Sequence, residues 1–492
     1  MSSIFLVIAV LIPIISGALI RAIPFKSRRA LEIYVEVFAI ITSLIVFALI
    51  LNPPEEGIVI FSFTRDLTIS LFLDKTGSVF ALIVSVLWPF ANLYAFEYME
   101  DAKRPRMFFT FYMATYGVTL GIALAEDIVT MYFFYEMLTL VTIPLVIYEL
   151  TKEAVSAALK YMYYSLGGAA FAFIGMVFIV VYGTTPNFTA GGMLDMSRVA
   201  GHENLFLFIY FLSFCGFSVK AAMFPFSSWL PSAGVAPTPV TALLHAVAVV
   251  KAGAFATIRL TYFCFGTEFL YGSWAQNILL LMAIFTIVYG CSRALKEVHF
   301  KRRLAYSTVS NLSYILFGVL LMTPASLTGA MAHMICHAFM KICCFFCAGA
   351  VIHKAKRTLV PELTGLGAVM PKTFIIFTIS SLALMGVPGL AGFVSKWNLA
   401  KGAVTSGNPV GYVGLGAILI SALLTAIYMM SISVKAFFPG KDFDYSSLEK
   451  IKDPTWKMLL PLYCFVAVIF VLGLCPGLLG DYLETVVSTV FV

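Results

Sequence analysis

The sequence consists largely of apolar runs that are long enough for transmembrane helices, which need about 20 apolar residues to cross the hydrocarbon core. Only 12% of its 492 residues are charged, and the mean hydropathy is +0.96. A soluble domain is about 25% charged, because its surface meets water. The composition therefore excludes an ordinary soluble enzyme, and we expect the chain to fold in a bilayer.

Fourteen runs predict an all-α integral membrane protein with about 14 transmembrane helices. The runs are 3–22, 31–51, 77–97, 107–125, 127–149, 155–183, 204–224, 237–262, 277–294, 304–322, 328–352, 372–402, 411–437 and 458–478. The first has no basic segment before it, so we expect a retained span rather than a cleaved signal peptide. The loop 52–76 alternates apolar and polar residues, which predicts a β-hairpin on the outer surface.

The basic residues of the loops predict an orientation. With the N-terminus outside, the cytoplasmic loops hold 22 Lys and Arg, and the opposite loops hold only Arg65, Lys75 and Arg198. Cytoplasmic loops of membrane proteins carry such an excess of Lys and Arg. The asymmetry favours fourteen spans with both termini outside, and it accounts for the net charge of +7 without nucleic-acid binding.

Several ionisable residues remain inside the predicted spans. A charge at the bilayer centre costs at least about 2.5–3.5 kcal/mol, so such residues are candidates for a functional site. They are Glu136, Lys160, Lys220, His245, Lys251, Arg259, His333, His337, Lys341, Lys396 and Lys401. Snorkelling accounts for Arg259 and Lys401, which are near outer helix ends, and leaves Lys160 open.

Glu136 lies in the middle of an apolar helix, too far from either end to snorkel, so it needs a cation or a proton. Lys220, at the end of the seventh predicted span, is the obvious partner and would stay charged in such a pair. The alternative is an ion pair that only fixes helix packing. Buried pairs stabilise poorly compared with apolar packing, which makes this alternative the weaker one.

Lys251 also lies deep in its span, which contains no acidic residue. Desolvation favours the neutral amine, so this lysine could both accept and release a proton. His245 is six residues earlier, about 120° away around the helix, so a proton path between the two would need water or a broken helix. A hydrogen-bonded packing role for His245 stays open.

His333, His337 and Lys341 follow one another at four-residue intervals and therefore form one stripe on a helix face. Titratable groups along one face are what a proton relay requires. A metal site is the alternative for two histidines, but no third ligand is nearby and Lys341 would repel a cation. Nearby Cys343, Cys344 and Cys347 are expected to pack as small hydrophobes.

Two spans contain helix-breaking residues beside a lysine. Lys220 precedes a proline-rich segment, and Lys396 follows a glycine-rich one; the breaking residues are Pro225, Pro231, Pro388 and Gly389. Broken helices in corresponding positions of two halves are typical of transporters built from inverted repeats.

The breaks predict four segments. Residues 1–106 form helices 1–3 with the hairpin, 107–262 the first inverted five-helix repeat, 277–437 the second, and 438–492 a cytoplasmic connector and the last helix.

The chain resembles the antiporter-like subunits of respiratory complex I, of Mrp-type cation/proton antiporters and of membrane-bound hydrogenases. The resemblance covers nearly the whole chain, and the segments that carry it are FFYEMLTL, ALKYMYYSLG, KAAMFPFSSWLPSAGVAPTPVTALLHAVAVVKAG, KRRLAYSTVSNLSYILFG, HMICHAFMKICCFF and GVPGLAGFVSKW. His299 departs from the family pattern, which often has Asp there, and Asn311 and Ser313 replace a usual Gln and Gly.

The resemblance implies a hydrophilic axis across the membrane interior. Glu136 matches the family's glutamate and Lys220 its partner, Lys251 matches the central lysine, and Lys396 the terminal residue on a broken helix. His333, His337 and Lys341 match the groups that connect the last two. Protons would come from the cytoplasm, reside on Lys251 and leave by Lys396. Two charges about 7 Å apart interact by about 2–3 kcal/mol, so opening of the Glu136–Lys220 pair could move a proton.

The predicted function is proton translocation, with Na⁺/H⁺ exchange left open, by a membrane subunit of a redox-driven complex that is complex I-like or hydrogenase-like. The alternative is a subunit of a Mrp-type secondary antiporter; a third hypothesis is a structural spacer.

We expect no cofactor in this chain, because no phosphate loop, dinucleotide fingerprint or four-Cys cluster is present, and no catalysis by this chain alone. The expected partners are other membrane subunits, including further antiporter-like ones, in the cell (inner) membrane of a prokaryote.

Overall fold

The computed structural model of the chain describes residues 1–64, 67–440 and 443–491. Arg65 and Lys441, which the orientation argument counts in loops, lie outside the described residues. The described part is almost entirely helical. Its longer helices are α1 Ile4–Ala22, α2 Arg28–Leu51, α3 Lys75–Tyr98, α4 Pro105–Ala123, α5 Ile128–Val146, α6 Lys152–Tyr182, α7 Glu203–Ser218, α8 Thr238–Phe265, α9 Trp274–Lys296, α10 Phe300–Leu320, α11 Pro324–Ala355, α12 Pro371–Met385, α13 Ala391–Thr405, α14 Pro409–Phe437, α15 Trp456–Leu474 and α16 Pro476–Val487.

Ten of these helices in the described part are long and apolar enough to cross a membrane: α1, α2, α3, α5, α6, α8, α9, α11, α14 and α15. The other predicted spans correspond to α4 and α10, which are more polar, and to α7 and the α12–α13 pair, which are shorter. The chain is thus a multi-pass helical membrane protein.

The hairpin predicted for 52–76 is present. Strand β1 (Ile58–Ser62) pairs antiparallel with β2 (Thr68–Leu71). The prediction of a single last span over 458–478 needs a correction, because α15 ends at Leu474 and a separate amphipathic helix, α16, begins at Pro476. Proline lacks the N–H that would continue the first helix and is well suited to the first position of the next one.

Two helices form the centre of the fold. In the most apolar 18-residue window of each helix, all residues of α8 and 94% of those of α11 are buried. The buried share is only 33% in α2, α14 and α15. The outer helices expose their apolar side chains, as expected for surfaces that face lipid. The two helices that carry Lys251 and Lys341 are therefore shielded by protein on all sides.

Both predicted breaks are present. After α7, the chain passes Pro225 and Pro231 in short helical turns before α8 begins. α12 ends at Met385 and is followed by Gly386, which has a φ of 92°; Pro388 and Gly389 separate it from α13. Such breaks free backbone carbonyls inside the membrane, and these groups need partners from protein or water.

A buried line of titratable side chains

The Glu136–Lys220 pair predicted from the sequence is present. Lys220 Nζ lies 3.5 Å from Glu136 Oε1, and the Lys220 side chain is 1% exposed while that of Glu136 is 22% exposed. The amine also donates to the Tyr135 carbonyl oxygen and lies 3.4 Å from the centre of the Tyr135 ring. The lysine is thus surrounded by acceptors, whereas its carboxylate partner is partly open.

α8 approaches Lys220 closely. A Cβ at position 253 would stand 2.9 Å from the carbonyl carbon of Lys220 and 3.0 Å from its Cβ, so Gly253 permits a contact that a larger residue would prevent. Lys251 lies only two residues earlier on the same helix. The two lysines therefore sit on elements in direct contact, as required for one charge to act on the other.

Lys251 is fully buried, and its Nζ lies 2.7 Å from Nδ1 of His337, across the contact between α8 and α11. The imidazole nitrogen can accept a proton from the amine or donate one to it, depending on the tautomer. This contact joins two buried groups that can each be neutral or charged. It is the shortest link between titratable side chains in the described site.

The histidine stripe continues from His337 towards the second broken helix. The rings of His337 and His333 are 5.8 Å apart, and His333 Nδ1 lies 2.9 Å from the Ser395 hydroxyl oxygen. Ser395 precedes Lys396 on α13. Nε2 of both histidines is buried without a partner in the described part of the chain, which leaves these atoms for water.

Lys341 lies on the same helix as the histidines but points elsewhere. Its amine donates to the Ser307 hydroxyl at 2.6 Å and to the Leu304 carbonyl oxygen at 3.3 Å, both on α10. Within the described residues it forms no hydrogen bond to His337. The stripe predicted from the sequence therefore divides into a histidine branch and a Lys341 branch.

Lys396 caps the broken helix. Its amine donates to the carbonyl oxygens of Leu384 and Met385, at 2.7 and 3.1 Å, in the last turn of α12. The C-terminus of a helix carries partial negative charge and unpaired carbonyls, so it favours a cation. The glycine at 386 allows this contact, because a Cβ there would lie 3.1 Å from Lys396 Cδ.

His245 is buried, and neither ring nitrogen has a hydrogen-bond partner in the described part of the chain. Its hydrogen-bonded packing role therefore stays a prediction. The residue lies in a π-helical turn, Leu243–Val247, which interrupts the regular helix before Lys251. It does not bond to Lys251. Its ring packs instead against that of Phe345 on α11, with 4.8 Å between the ring centres.

Sequence reasoning missed two residues that complete the site. Lys301 was counted as an ordinary loop cation, yet its amine donates to the Ala236 carbonyl oxygen at 2.7 Å, just before α8. Ser395 bonds to His333, and its position beside Lys396 was the one signal available for it. The fold alone brings Lys301 inward.

Arg259 needs a correction, because it does not snorkel. Its side chain is 1% exposed and forms two bonds of 2.6 and 2.5 Å with the Asp74 carboxylate at the start of α3. By contrast, Lys401 is exposed. Lys160 is half-buried, and its amine lies 3.2 Å from the Ser232 hydroxyl oxygen.

The described residues contain no group of three metal-ligating side chains. The nine cysteines are free, and Cys343, Cys344 and Cys347 are buried in the core. The chemistry of the site is therefore that of amines, imidazoles, one carboxylate and hydroxyls. Such groups can exchange protons, and their burial between broken helices defines the class as a multi-pass membrane protein with titratable groups in its interior.

Comparison with known proteins identifies the family. Residues 125–429 match the family described as "NADH:quinone oxidoreductase/Mrp antiporter, TM". Because this match covers more than half of the chain, the protein belongs to that family.

Two relatives represent the two branches of the family. The chain is 27% identical over 488 residues to NAD(P)H-quinone oxidoreductase chain 4 of Adiantum capillus-veneris chloroplasts, with 96% of each protein covered. It is also 27% identical over 432 residues to Na(+)/H(+) antiporter subunit A1 of Staphylococcus aureus, where the match covers 84% of this chain and 53% of that protein.

Two solved structures have the same fold. A chain of the membrane-bound sulfane sulfur reductase, an archaeal respiratory membrane complex, matches with a TM-score of 0.85 and 23% identity over 100% of this chain and 98% of that one. A chain of the Mrp complex from Dietzia sp. matches with a TM-score of 0.84 and 24% identity, over 99% of this chain and 52% of that one.

Proposed function

We propose that this chain is a proton-translocating membrane subunit of a larger, redox-driven complex. The observation that carries the proposal is the 2.7 Å contact between Lys251 and His337 at the centre of the fold. It joins two groups that are 0% exposed and that lie between the Glu136–Lys220 pair and the broken helix of Lys396. A relay needs such neighbours, because a proton moves only between groups within hydrogen-bond reach or bridged by one water.

The proposed cycle begins at the ion pair. When Glu136 and Lys220 separate, the uncompensated charge of Lys220 disfavours a proton on Lys251, and the proton moves to His337. When the pair closes, Lys251 accepts a new proton from the cytoplasmic side. Two charges about 7 Å apart interact by about 2–3 kcal/mol at an effective dielectric constant near 20, which suffices to shift a proton between two sites.

Uptake from the cytoplasm is assigned to His245 and Lys301, and release to Lys396. His245 has two ring nitrogens without a hydrogen-bond partner in the described part of the chain. Lys301, in the first turn of α10, donates to the Ala236 carbonyl oxygen just before α8, the helix that carries His245. Lys396 is held by helix-end carbonyls, which provide acceptors for its amine but no negatively charged partner. Release of a proton from such an amine leaves no buried anion behind.

The finer architecture belongs to the same proposal. We assign fourteen spans, with α4–α8 (107–262) and the α9–α14 segment (277–437) as two inverted repeats, each with one broken helix. Residues 1–106 and 438–492 flank them. Both termini lie outside the cell membrane of a prokaryote, and the partners are other membrane subunits, among them further antiporter-like ones.

The second candidate function is a subunit of a Mrp-type Na⁺/H⁺ antiporter. It is favoured by the relative named antiporter subunit A1, although this chain spans about half of that protein. The first candidate is favoured by the quinone oxidoreductase relative, which matches over 96% of both proteins. Identification of the subunits that co-purify with the tagged chain separates the two, because iron–sulfur or nickel proteins support the first and only small membrane proteins the second.

Proton movement tests the function itself. Inverted membrane vesicles that contain the complex are energised with an electron donor in one arm and a Na⁺ pulse in the other, and the pH gradient is followed with a fluorescent dye. Lys251→Met should abolish the gradient, whereas Lys401→Met, at an exposed position, should leave it unchanged. A full gradient with Lys251→Met would favour the structural-spacer hypothesis instead.

A further inference from the structure

The Lys341 branch continues into a set of buried hydroxyls that the cycle above does not use. Ser307, the partner of Lys341, also accepts a hydrogen bond of 2.7 Å from the Tyr428 hydroxyl on α14. The Tyr428 hydroxyl lies 3.1 Å from the Thr425 hydroxyl, one turn earlier on the same helix. All three side chains are at most 1% exposed, so lipid and bulk water do not reach them.

The chain of contacts passes next through a thiol. Cys291 Sγ on α9 lies 3.7 Å from the Thr425 hydroxyl oxygen and 2.8 Å from that of Ser421. The next hydroxyl is that of Tyr314 on α10, which donates at 3.4 Å to the carbonyl oxygen of Ile418, one turn before Ser421 on α14. The groups Lys341, Ser307, Tyr428, Thr425, Cys291, Ser421 and Tyr314, in this order, are called the hydroxyl relay below.

The far end of the relay reaches the group proposed for release. Lys396 Nζ lies 5.2 Å from the centre of the Tyr314 ring, and the same ring packs edge-on against His333 at 5.2 Å. In the proposed path a water bridges the Lys396 amine and the Tyr314 hydroxyl. The relay therefore begins at one buried lysine and ends beside another, without passing through the histidines.

We propose that the hydroxyl relay is a second proton path between Lys341 and Lys396, parallel to the histidine branch, with Tyr428 as its indispensable link. This inference rests on the proposed function and adds residues to it. A hydroxyl both donates and accepts, so every group in the relay can pass a proton on while remaining neutral. A purely structural cluster would not need to begin and end at lysines.

The proposed transfer conserves the number of hydrogens on every group between the two lysines. In the structure the Tyr428 hydroxyl donates to Ser307, so the hydroxyls first rotate until each donates towards Lys396. The ammonium of Lys341 then gives a proton to the oxygen of Ser307, while the hydroxyl hydrogen of Ser307 passes to Tyr428, and so on along the relay. Each hydroxyl or thiol gains one hydrogen and loses one. The Lys341 amine becomes neutral, and Lys396 becomes charged through Tyr314 and water. The transfer leaves Tyr428 donating to Ser307 again, which is the orientation in the structure.

Tyr428→Phe tests the path, because it removes one oxygen and keeps the ring. Inverted vesicles that contain the whole complex are energised with the driver that energises the wild type, and the rate of gradient formation is measured in H₂O and D₂O. Because the histidine branch stays open, the variant should lower the rate by the share that the relay carries, about twofold for two equal routes, and change the solvent isotope effect. Tyr210→Phe is the matched control, since Tyr210 is equally buried and its hydroxyl bonds to Thr261, outside the relay.

The thiol provides a second pair of variants. Cys291→Ser keeps a donor and acceptor and should retain the wild-type rate, whereas Cys291→Ala, of similar size, should slow it as Tyr428→Phe does. A defect from packing alone would affect both variants and leave the isotope effect unchanged, and this result would overturn the proposal. Unchanged rates for Tyr428→Phe and Cys291→Ala would overturn it too. In either case a gradient abolished by Lys251→Met would leave the proposed function standing.

Discussion

The amine of Lys251 and Nδ1 of His337 lie 2.7 Å apart although 86 residues separate them in the chain. Each comes from a helix that is almost completely enclosed by protein. Neither residue has a charged partner that would fix its protonation state within the described contacts. A pair of this kind can hold one proton and exchange its position, which is the property that a relay requires.

His337→Ala tests whether Lys251 passes its proton to His337. We expect gradient formation in inverted vesicles to fall about tenfold or more, because Lys251 loses its one hydrogen-bonded acceptor among the described residues. Each tenfold change corresponds to about 1.4 kcal/mol in the barrier. His202→Ala is the control, since His202 is exposed at the start of α7. A normal rate for His337→Ala would mean that Lys251 passes its proton elsewhere.

Glu136→Gln should uncouple the driver from proton movement. The amide keeps the shape of the carboxylate but removes the negative charge that attracts the Lys220 amine, which lies 3.5 Å from Glu136 Oε1. We expect the rate of proton translocation to fall at least about fivefold, because the coupling free energy between two linked sites is typically at least about 1 kcal/mol. Glu153→Gln, in the exposed first turn of α6, should have no effect. Equal rates in the two variants would argue against a switch at Glu136.

Asp74→Asn should destabilise the protein more than Arg259→Met does. Asparagine can still cap α3 at Gly77, so this variant removes mainly the charge and leaves an arginine that is 1% exposed without its anion. Removing one partner of a buried pair costs about 3–5 kcal/mol. Asp74 is 26% exposed and can be hydrated when Arg259 is absent. Thermal unfolding in detergent measures both, and equal shifts would refute this asymmetry.

Gly386→Ala should lower the unfolding temperature and disturb Lys396. The φ of 92° costs an L-residue about 1–2 kcal/mol, and the added Cβ would lie 3.1 Å from Lys396 Cδ. Gly416→Ala is the matched control, because nothing lies within 4 Å of a Cβ at that position in α14. Alanine is the better helix former there, so its unfolding temperature should stay equal or rise. An equal fall of the unfolding temperature in both variants would contradict a specific requirement for glycine at position 386.

The sequence predicted the individual features that depend on local pattern. Apolar runs fix which segments can enter a bilayer, and a Glu or Lys inside such a run is costly enough to be recognised as a candidate without any structure. Proline and glycine mark the breaks before α8 and α13 because they cannot continue a regular helix. The Glu136–Lys220 pair followed from the same reasoning, since each charge required the other.

The tertiary structure decided which of these groups meet. Helical spacing put Lys341 in line with His333 and His337, but the packing of α10 against α11 offers it Ser307 and turns its amine away from them. Lys301 and Arg259 were misjudged for the same reason, because a cation near a helix end can face water or protein and only the neighbouring helix determines which. The sequence by itself determined what had to be buried in the bilayer and which residues break its helices. Contacts between distant helices determined the order in which the buried groups can exchange a proton, because hydrogen bonds act over about 3 Å and spacing along one helix does not fix distances to another.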